Sequence, residues 1–359
     1  MEGERALEVL VSEFGWAGRR VLVTGHTGFK GGWLSLWLHQ LGAIVGGLSL
    51  PPPTDPNFFE QTRLRDLVDH VEGDIRDQRC VERAVRDFQP QVVFHLAAQP
   101  LVRYSYDNPV ETYATNVMGT VHVLEACRHQ PSVEAVICVT TDKCYENREW
   151  VWPYRENEPM GGYDPYSSSK GAAELVISAY RRSYPTGPAI ASVRAGNVIG
   201  GGDWALDRLI PDIVRSLLKG EAPLIRNPRS IRPWQHVLEA LGGYLMIAER
   251  LLSGSREIAT AWNFGPADED TQPVAWIVDE MLANWDSNLG WRSSEDPQPH
   301  EAVLLRLDIS KARAELGWQP RLRLKEALTK VVAWHTEVDA GRDARDVSLE
   351  QIADYRSRV

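Results

Sequence analysis

A doubly wound α/β fold, with a parallel sheet carrying helices on both faces, is predicted by three observations. Short apolar runs recur along the first two thirds of the chain, longer periodic stretches separate them, and a glycine-rich turn joins the first run to the first stretch. The runs begin near Arg20 and then cover residues 43–50, 91–98, 135–140 and 189–195, each of a length that suits a strand buried on both faces. Helices are expected over Gly31–Leu41, Pro109–Arg128, Tyr166–Ser183 and His236–Leu252. In the last, Val237, Leu238, Leu241, Tyr244, Leu245, Ala248 and Leu252 recur at helical spacing.

The bulk properties narrow the class. With 359 residues, 43% of them hydrophobic and 25% charged, the chain can bury a substantial core. No stretch reaches the roughly 18 apolar residues of a membrane span, and the acidic start, with Glu2, Glu4, Glu8 and Glu13, is unlike a secretory signal. No membrane association and a cytoplasmic location are expected. Cys80, Cys127, Cys138 and Cys144 form no C-x-x-C pair and lie in or beside apolar segments, which predicts buried free thiols and no metal site. A formal charge of −10 argues against a broad nucleic-acid-binding face, while leaving room for a small anionic substrate held by a few local cations.

The segment 21-VLVTGHTGFKGGWLSLWL-38 passes from strand to helix through Gly25, Gly28 and Gly31, close to a dinucleotide fingerprint. Glycine permits the tight turn and a close backbone approach to pyrophosphate, and the helix N-terminus offers free N–H groups to the anion. The same turn can also cap a helix without any ligand. His26 and Lys30 are each as consistent with a solvent-facing loop as with a contact. No acid stands at the end of the second strand, 48-LSLPPPTDP-56, and no Arg or Lys is there to receive a 2′-phosphate, so NAD is expected over NADP. Asp74 in 73-GDIRD-77 is placed either beside the adenine or in a plain strand-ending turn.

Tyr166 and Lys170 form Y-x-x-x-K, and their i to i+4 spacing puts both on one helix face. A nearby ammonium favours phenolate, so Tyr166 is expected to have a lowered pKa and to act as a base toward a substrate hydroxyl. The motif also occurs by chance on helix surfaces; the glycine turn and sheet pattern upstream give it weight. Thr141, Asp142 and Lys143 follow the run 135–140, where open α/β sheets bind ligands at strand C-termini. Thr141 is the candidate to hydrogen-bond the oxidised hydroxyl, Asp142 the candidate acid, and Lys143 a group that orients charge or moves a proton. The alternative is that the three merely cap a turn.

From about Gly196 the texture changes to Gly, Pro, Trp and Arg clusters, as in 199-IGGGDW-204, 226-RNPRSIRPW-234 and 296-DPQPHE-301. The expected division is a Rossmann-type NAD-binding domain over 1–196, with 233–266 returning to it through a helix and the strand-like 261-AWNFGP-266. A smaller substrate-binding lobe is expected over 197–232 and 267–341, and a mobile charged tail over 342–359.

Six blocks carry a resemblance to a known family: 24-TGHTGFKGGWLSLWL-38, 97-AAQPLVR-103, 142-DKCYENREWVWPYRENEPMGGYDPYSSSK-170, 194-RAGNVIGGGDW-204, 207-DRLIPD-212 and 229-RSIRPWQHVLE-239. Through them the chain resembles the extended short-chain dehydrogenase/reductase family, in its sugar-nucleotide dehydratase and epimerase group. The resemblance implies a catalytic set of Thr141, Asp142, Lys143, Tyr166 and Lys170. It implies cofactor contacts from Gly25, Thr27, Gly28, Phe29, Lys30, Gly31, Asp74, Ile75, Ala97 and Ala98, with Tyr166 and Lys170 also touching NAD. It further implies a diphosphate pocket near Asn197, Arg208 and Arg232, CDP-glucose as substrate, a 4,6-dehydration, and a homodimer or homotetramer. Other 4,6-dehydratases carry Glu where Lys143 stands, which leaves the base for the C5 proton open. A 4-epimerase on another sugar nucleotide and a non-catalytic NAD-binding protein remain as alternatives.

Overall fold

The computed structural model describes residues 15–294 and 304–358. Seven strands form one wholly parallel sheet: β1 (Arg20–Thr24), β2 (Ile44–Ser49), β3 (Asp69–Glu72), β4 (Val92–His95), β5 (Ala135–Val139), β6 (Ala189–Ala195) and β7 (Ala261–Phe264), in the order β7-β6-β5-β4-β1-β2-β3. Val21 of β1 pairs with Val45 on one side and Val92 on the other, so the strand order reverses between β1 and β4. That reversal opens a crevice beyond the strand C-termini.

Among the described residues, nine longer helices accompany the sheet: α1 (Phe29–Gln40), α2 (Gln78–Phe88), α3 (Gly119–Arg128), α4 (Pro165–Ser183), α5 (Leu209–Leu218), α6 (Val237–Leu252), α7 (Val274–Asn284), α8 (Leu324–Asp339) and α9 (Ala344–Ser357). The period-two alternation of each strand sorts them into layers. Val21, Val23, Phe94 and Ile137 join one core with α1 and α6, whereas Leu22, Val93 and Val136 join the opposite core with α2, α3 and Ile177 of α4. A third core packs Ile213 and Val214 of α5, Ile277 and Met281 of α7, and Leu328 and Val331 of α8. The four cysteines are buried free thiols.

The structure departs from the sequence reading in three places. The helix expected over 109–128 is interrupted by a π-turn at Ala114–Met118. The edge strand β3 was not anticipated, because Asp-His-Val-Glu is polar and largely exposed, without the apolar run that marks buried strands. The expected tail, residues 342–359, contains the helix Ala344–Ser357, packed on the body of the fold. In α9, Val347, Ile352 and Tyr355 are buried, the Tyr355 hydroxyl donates to Glu239 Oε2 at 3.1 Å, and Arg345 donates to the carbonyls of Thr62 and Arg63. A stripe of Ala344, Val347, Ser348, Gln351, Ile352 and Tyr355 at helical spacing sits among the charges that suggested a tail. Among the described residues, no helix is long and apolar enough to cross a membrane.

Candidate active site

A cavity of about 610 Å³ lies in the crevice beyond the ends of β1, β2, β4, β5 and β6, facing α5 and the loops of the third core. Of the residues singled out from the sequence for chemistry or binding, all but His26 line it. One wall holds Gly25, Thr27, Gly28, Phe29, Lys30 and Gly31; Asp74, Ile75, Ala97 and Ala98 continue it; Thr141, Asp142, Lys143, Tyr166 and Lys170 form the centre; Asn197, Arg208 and Arg232 face them. Residues 135 positions apart in sequence or more meet there because parallel strands end at the same level.

The glycine turn is shaped by contacts that leave no room for side chains. Gly25 has φ of +79°, and a Cβ on it would meet the Ala97 nitrogen at 2.7 Å. A Cβ on Gly31 would meet the Gly25 carbonyl oxygen at 2.1 Å. Gly28 differs: its φ is −81°, the nearest atom to an added Cβ would be the Gly25 carbonyl oxygen at 3.4 Å, and it begins α1 without a side-chain cap. The first N–H groups of α1 therefore remain for an anion in the cavity, which fits the pyrophosphate of a dinucleotide. At the far end of that wall, Thr27 Oγ1 lies 2.6 Å from Ser49 Oγ, and Ser49 through Thr54 contain no cation. Asp74 binds Arg76 at 2.8 Å through Nε; burial works against its ionisation, yet the Arg76 bonds hold its carboxyl below the usual range.

His26 and Lys30 part company. His26 is fully buried against Phe59 and His70, with Nε2 2.7 Å from His70 Nδ1, and burial depresses its pKa to about 3. It is packing, away from the cavity. Lys30 does enter the cavity; burial, with Lys170 and Arg208 nearby, lowers its pKa to about 7 against the pull of Asp142 and Asp203.

Asp164 caps α4, accepting from the Ser167 backbone N–H at 2.9 Å, with Pro165 opening the helix, and this cap sets where Tyr166 and Lys170 emerge. Lys170 Nζ donates to the Val139 carbonyl at 3.3 Å, and burial lowers its pKa to about 8 while Glu174 resists. The expectation of a depressed Tyr166 pKa is overturned: burial pushes it up to about 12, outweighing the Thr141 hydrogen bond, and Lys170 is not among the principal influences. Desolvation of a phenolate costs more here than the neighbouring cations return.

Thr141 starts the short turn Asp142–Cys144, accepting from the Lys143 backbone N–H at 3.3 Å and donating to Asp142 Oδ1 at 2.9 Å. The tripeptide caps a turn and also lines the cavity. Asp142 is 2% exposed, its Oδ2 has no partner, and burial raises its pKa despite Lys143, Thr141, Arg232 and Lys30. A carboxyl so placed keeps its proton more readily than a surface aspartate. Lys143 is half-buried beside it.

Several groups escaped the sequence reading. Asn116, in the π-turn, donates to the Gln99 carbonyl at 3.0 Å and to Ser169 Oγ at 2.8 Å, joining the loop after β4 to the helix of Tyr166 and Lys170. Ser105 Oγ accepts from the Tyr166 backbone N–H at 3.1 Å. In the facing wall, Arg208 pairs with Asp203 at 3.1 Å and Arg226 with Asp207 at 2.9 Å, while Arg232 is 6% exposed.

A parallel sheet with a glycine turn at its switch point, and Tyr166 and Lys170 beside Thr141, define a site of the short-chain dehydrogenase/reductase type. The chain belongs to the family described as GDP-mannose 4,6 dehydratase, whose model matches residues 22–331. It is 55% identical over 349 residues to the CDP-glucose 4,6-dehydratase of Salmonella typhimurium, covering 95% of this chain and 97% of that protein. Among solved structures it is similar to the dTDP-glucose 4,6-dehydratase DesIV of Streptomyces venezuelae, crystallised with NAD, at 25% identity and a TM-score of 0.77, covering 91% of this chain and 99% of the other. The UDP-glucose 4-epimerase of Thermus thermophilus, also solved with NAD, matches at 25% identity and a TM-score of 0.75, covering 88% of this chain and 99% of the other.

Proposed function

We propose that this chain uses NAD to dehydrate CDP-D-glucose to CDP-4-keto-6-deoxy-D-glucose. The observation that carries the reading is the 55% identity, across 95% of the chain, to a CDP-glucose 4,6-dehydratase. The buried, unpartnered Oδ2 of Asp142 adds to it, because a dehydratase needs a proton donor for the departing hydroxyl and a 4-epimerase does not.

The glycine turn, Asp74, Ile75, Ala97, Ala98, Tyr166 and Lys170 are assigned to NAD. When bound, NAD supplies the acceptor for the hydride of C4 and the donor for C6. Tyr166 takes the proton of the 4-hydroxyl, with Thr141 hydrogen-bonded at the same oxygen. Burial holds the resting group as a phenol, so Tyr166 acts as the base only after its own phenolic proton has left to solvent; the Lys170 ammonium offsets the phenolate charge, and the proton of the 4-hydroxyl then restores the phenol. The C4 ketone acidifies C5–H, Lys143 is assigned its removal, and Asp142 protonates the 6-hydroxyl as water leaves. Asn197, Arg208 and Arg232 are assigned to the sugar nucleotide, with guanidinium forks suited to its diphosphate.

Residues 1–196 with 233–266 are assigned to NAD and residues 197–232 with 267–341 to the substrate. The protein is assigned to the cytoplasm as a homodimer or homotetramer. Exposed Val110, Met118 and Leu175, on helical segments packed beside one another, support self-association.

Isotope transfer tests the chemistry. CDP-D-glucose deuterated at C4 is expected to give product deuterated at C6 of the same molecule, with one solvent deuterium entering C5 in heavy water. Mass spectrometry of mixed labelled and unlabelled substrate reads the result. Label returned to C4 would indicate an epimerase, and label scrambled between molecules would defeat the proposed reaction.

A further inference from the structure

One buried carboxylate joins α4, the segment after β5 and strand β6 directly beneath the Asp142 turn. Glu174 lies one helical turn beyond Lys170 on α4, on the same face. Its Oε1 accepts from Thr140 Oγ1 at 2.5 Å and Arg194 Nε at 2.9 Å; its Oε2 accepts from Ser192 Oγ and Arg194 Nη2, both at 2.8 Å. The side chains of Glu174 and Arg194 are each 4% exposed. Arg194 Nη1 continues to the Tyr145 hydroxyl at 2.6 Å and the Glu156 carbonyl at 3.0 Å, and that hydroxyl donates to Asn263 Oδ1 at 2.7 Å.

The network reaches both ends of the turn that bears the candidate acid. Thr140 precedes Thr141, and Tyr145 follows Cys144. Strand β6, which holds Ser192 and Arg194, leads within two residues to Gly196, where Asp142 Oδ2 rests. Burying two charges is costly, and well-packed apolar side chains hold a fold as well as an ion pair does, so stability alone does not account for the arrangement.

We propose that Glu174 and Arg194 are positioning residues, which hold the 140–145 segment in register with Tyr166 and Lys170 so that Thr141 and Asp142 meet the reacting hydroxyls. The proposal rests on the dehydration reading above, and neither residue touches substrate. Lys170 faces Tyr166 and Glu174 on its own helix, Cys138 on β5, Cys144 in the turn, His95 on β4 and Lys30 on α1. Of these, Glu174 is the anion that resists the lowering of the Lys170 pKa.

The test compares Glu174→Gln, Glu174→Asp, Tyr145→Phe and the paired Glu174→Leu/Arg194→Leu variant with the wild type, by steady-state kinetics, thermal unfolding and lysine-selective NMR titration. Glu174→Gln is expected to lower kcat at least about 10-fold with KM changed less than about 3-fold, and to move the Lys170 titration to lower pH. Glu174→Asp should recover most of the loss. The paired variant should unfold near the wild-type temperature and still lose kcat, and Tyr145→Phe should lose kcat without loss of a charge. Full kcat in the paired variant, or kcat losses that follow only the unfolded fraction, would overturn the proposal. If Glu174→Gln does not fold, the paired and Tyr145→Phe variants decide. If the wild type turns over a different sugar nucleotide, the substrate reading fails, and the same kcat comparison on that substrate still decides the positioning role.

Discussion

Asp142 Oδ2 occupies the space that a side chain at residue 196 would need: a Cβ on Gly196 would lie 2.4 Å from that oxygen. Gly196 does not take a positive φ, and a Cβ there would also lie 2.4 Å from Pro233 Cγ, so the lack of a side chain makes room for both the carboxyl and the proline. Asp142→Asn is expected to impair water loss more than the first oxidation, so that single-turnover mixing with CDP-D-glucose accumulates enzyme-bound NADH. Gly196→Ala, which displaces the same carboxyl, should act in the same direction. Equal loss of NADH formation and dehydration would remove Asp142 from the role of acid.

Tyr166→Phe deletes the hydroxyl and little else. Turnover should fall at least about 100-fold, the scale of a lost positioned proton-transfer group, while NAD affinity stays within about 3-fold. Near-normal turnover in the folded variant would exclude Tyr166 from proton transfer.

Gly31 and Gly28 should separate folding from binding. In Gly31→Ala the new Cβ would strike the Gly25 carbonyl, so the ligand-free protein should lose about 1–3 kcal/mol of stability. Gly28→Ala meets ordinary contact distances, so the ligand-free melting temperature should stay nearly unchanged while NAD affinity falls at least about 10-fold, because the backbone there faces the pyrophosphate. Thermal scans without ligand and NAD titrations check both halves. Equal behaviour of the two variants would contradict the division.

Acid should destabilise the protein in two stages. His26, His95, His236 and His335 are buried, and desolvation lowers each from 6.5 to about 3. Between those values the unfolded chain binds the extra protons, so this stability is present above pH 6.5 and lost as pH falls. Glu239 and Glu249, raised by burial from 4.5 to about 7, work the opposite way between 4.5 and 7, two groups against four. The melting temperature should therefore fall gently from pH 6.5 to 4.5 and more steeply below it. A melting temperature independent of pH from 6.5 to 3 would contradict the burial of these imidazoles as neutral rings.

The sequence by itself determined the parallel sheet, the glycine turn and the Tyr166–Lys170 pair, because these rest on local patterns: apolar strand runs, a strand-to-helix turn and an i to i+4 spacing; Asn197, Arg208 and Arg232 came only from the family resemblance. Only the tertiary structure decided what each group experiences. Tyr166 bears a raised pKa where proximity to a lysine suggested a lowered one, since desolvation depends on everything packed around a side chain and not on its neighbour four residues away. Asn116, Glu174 and Arg194 were not legible as parts of the site, because their partners lie on other strands and helices. The apparent tail became α9 for a similar reason. Its stripe of Val347, Ile352 and Tyr355 is too sparse to hold a helix alone and is stabilised by burial against α1 and α6.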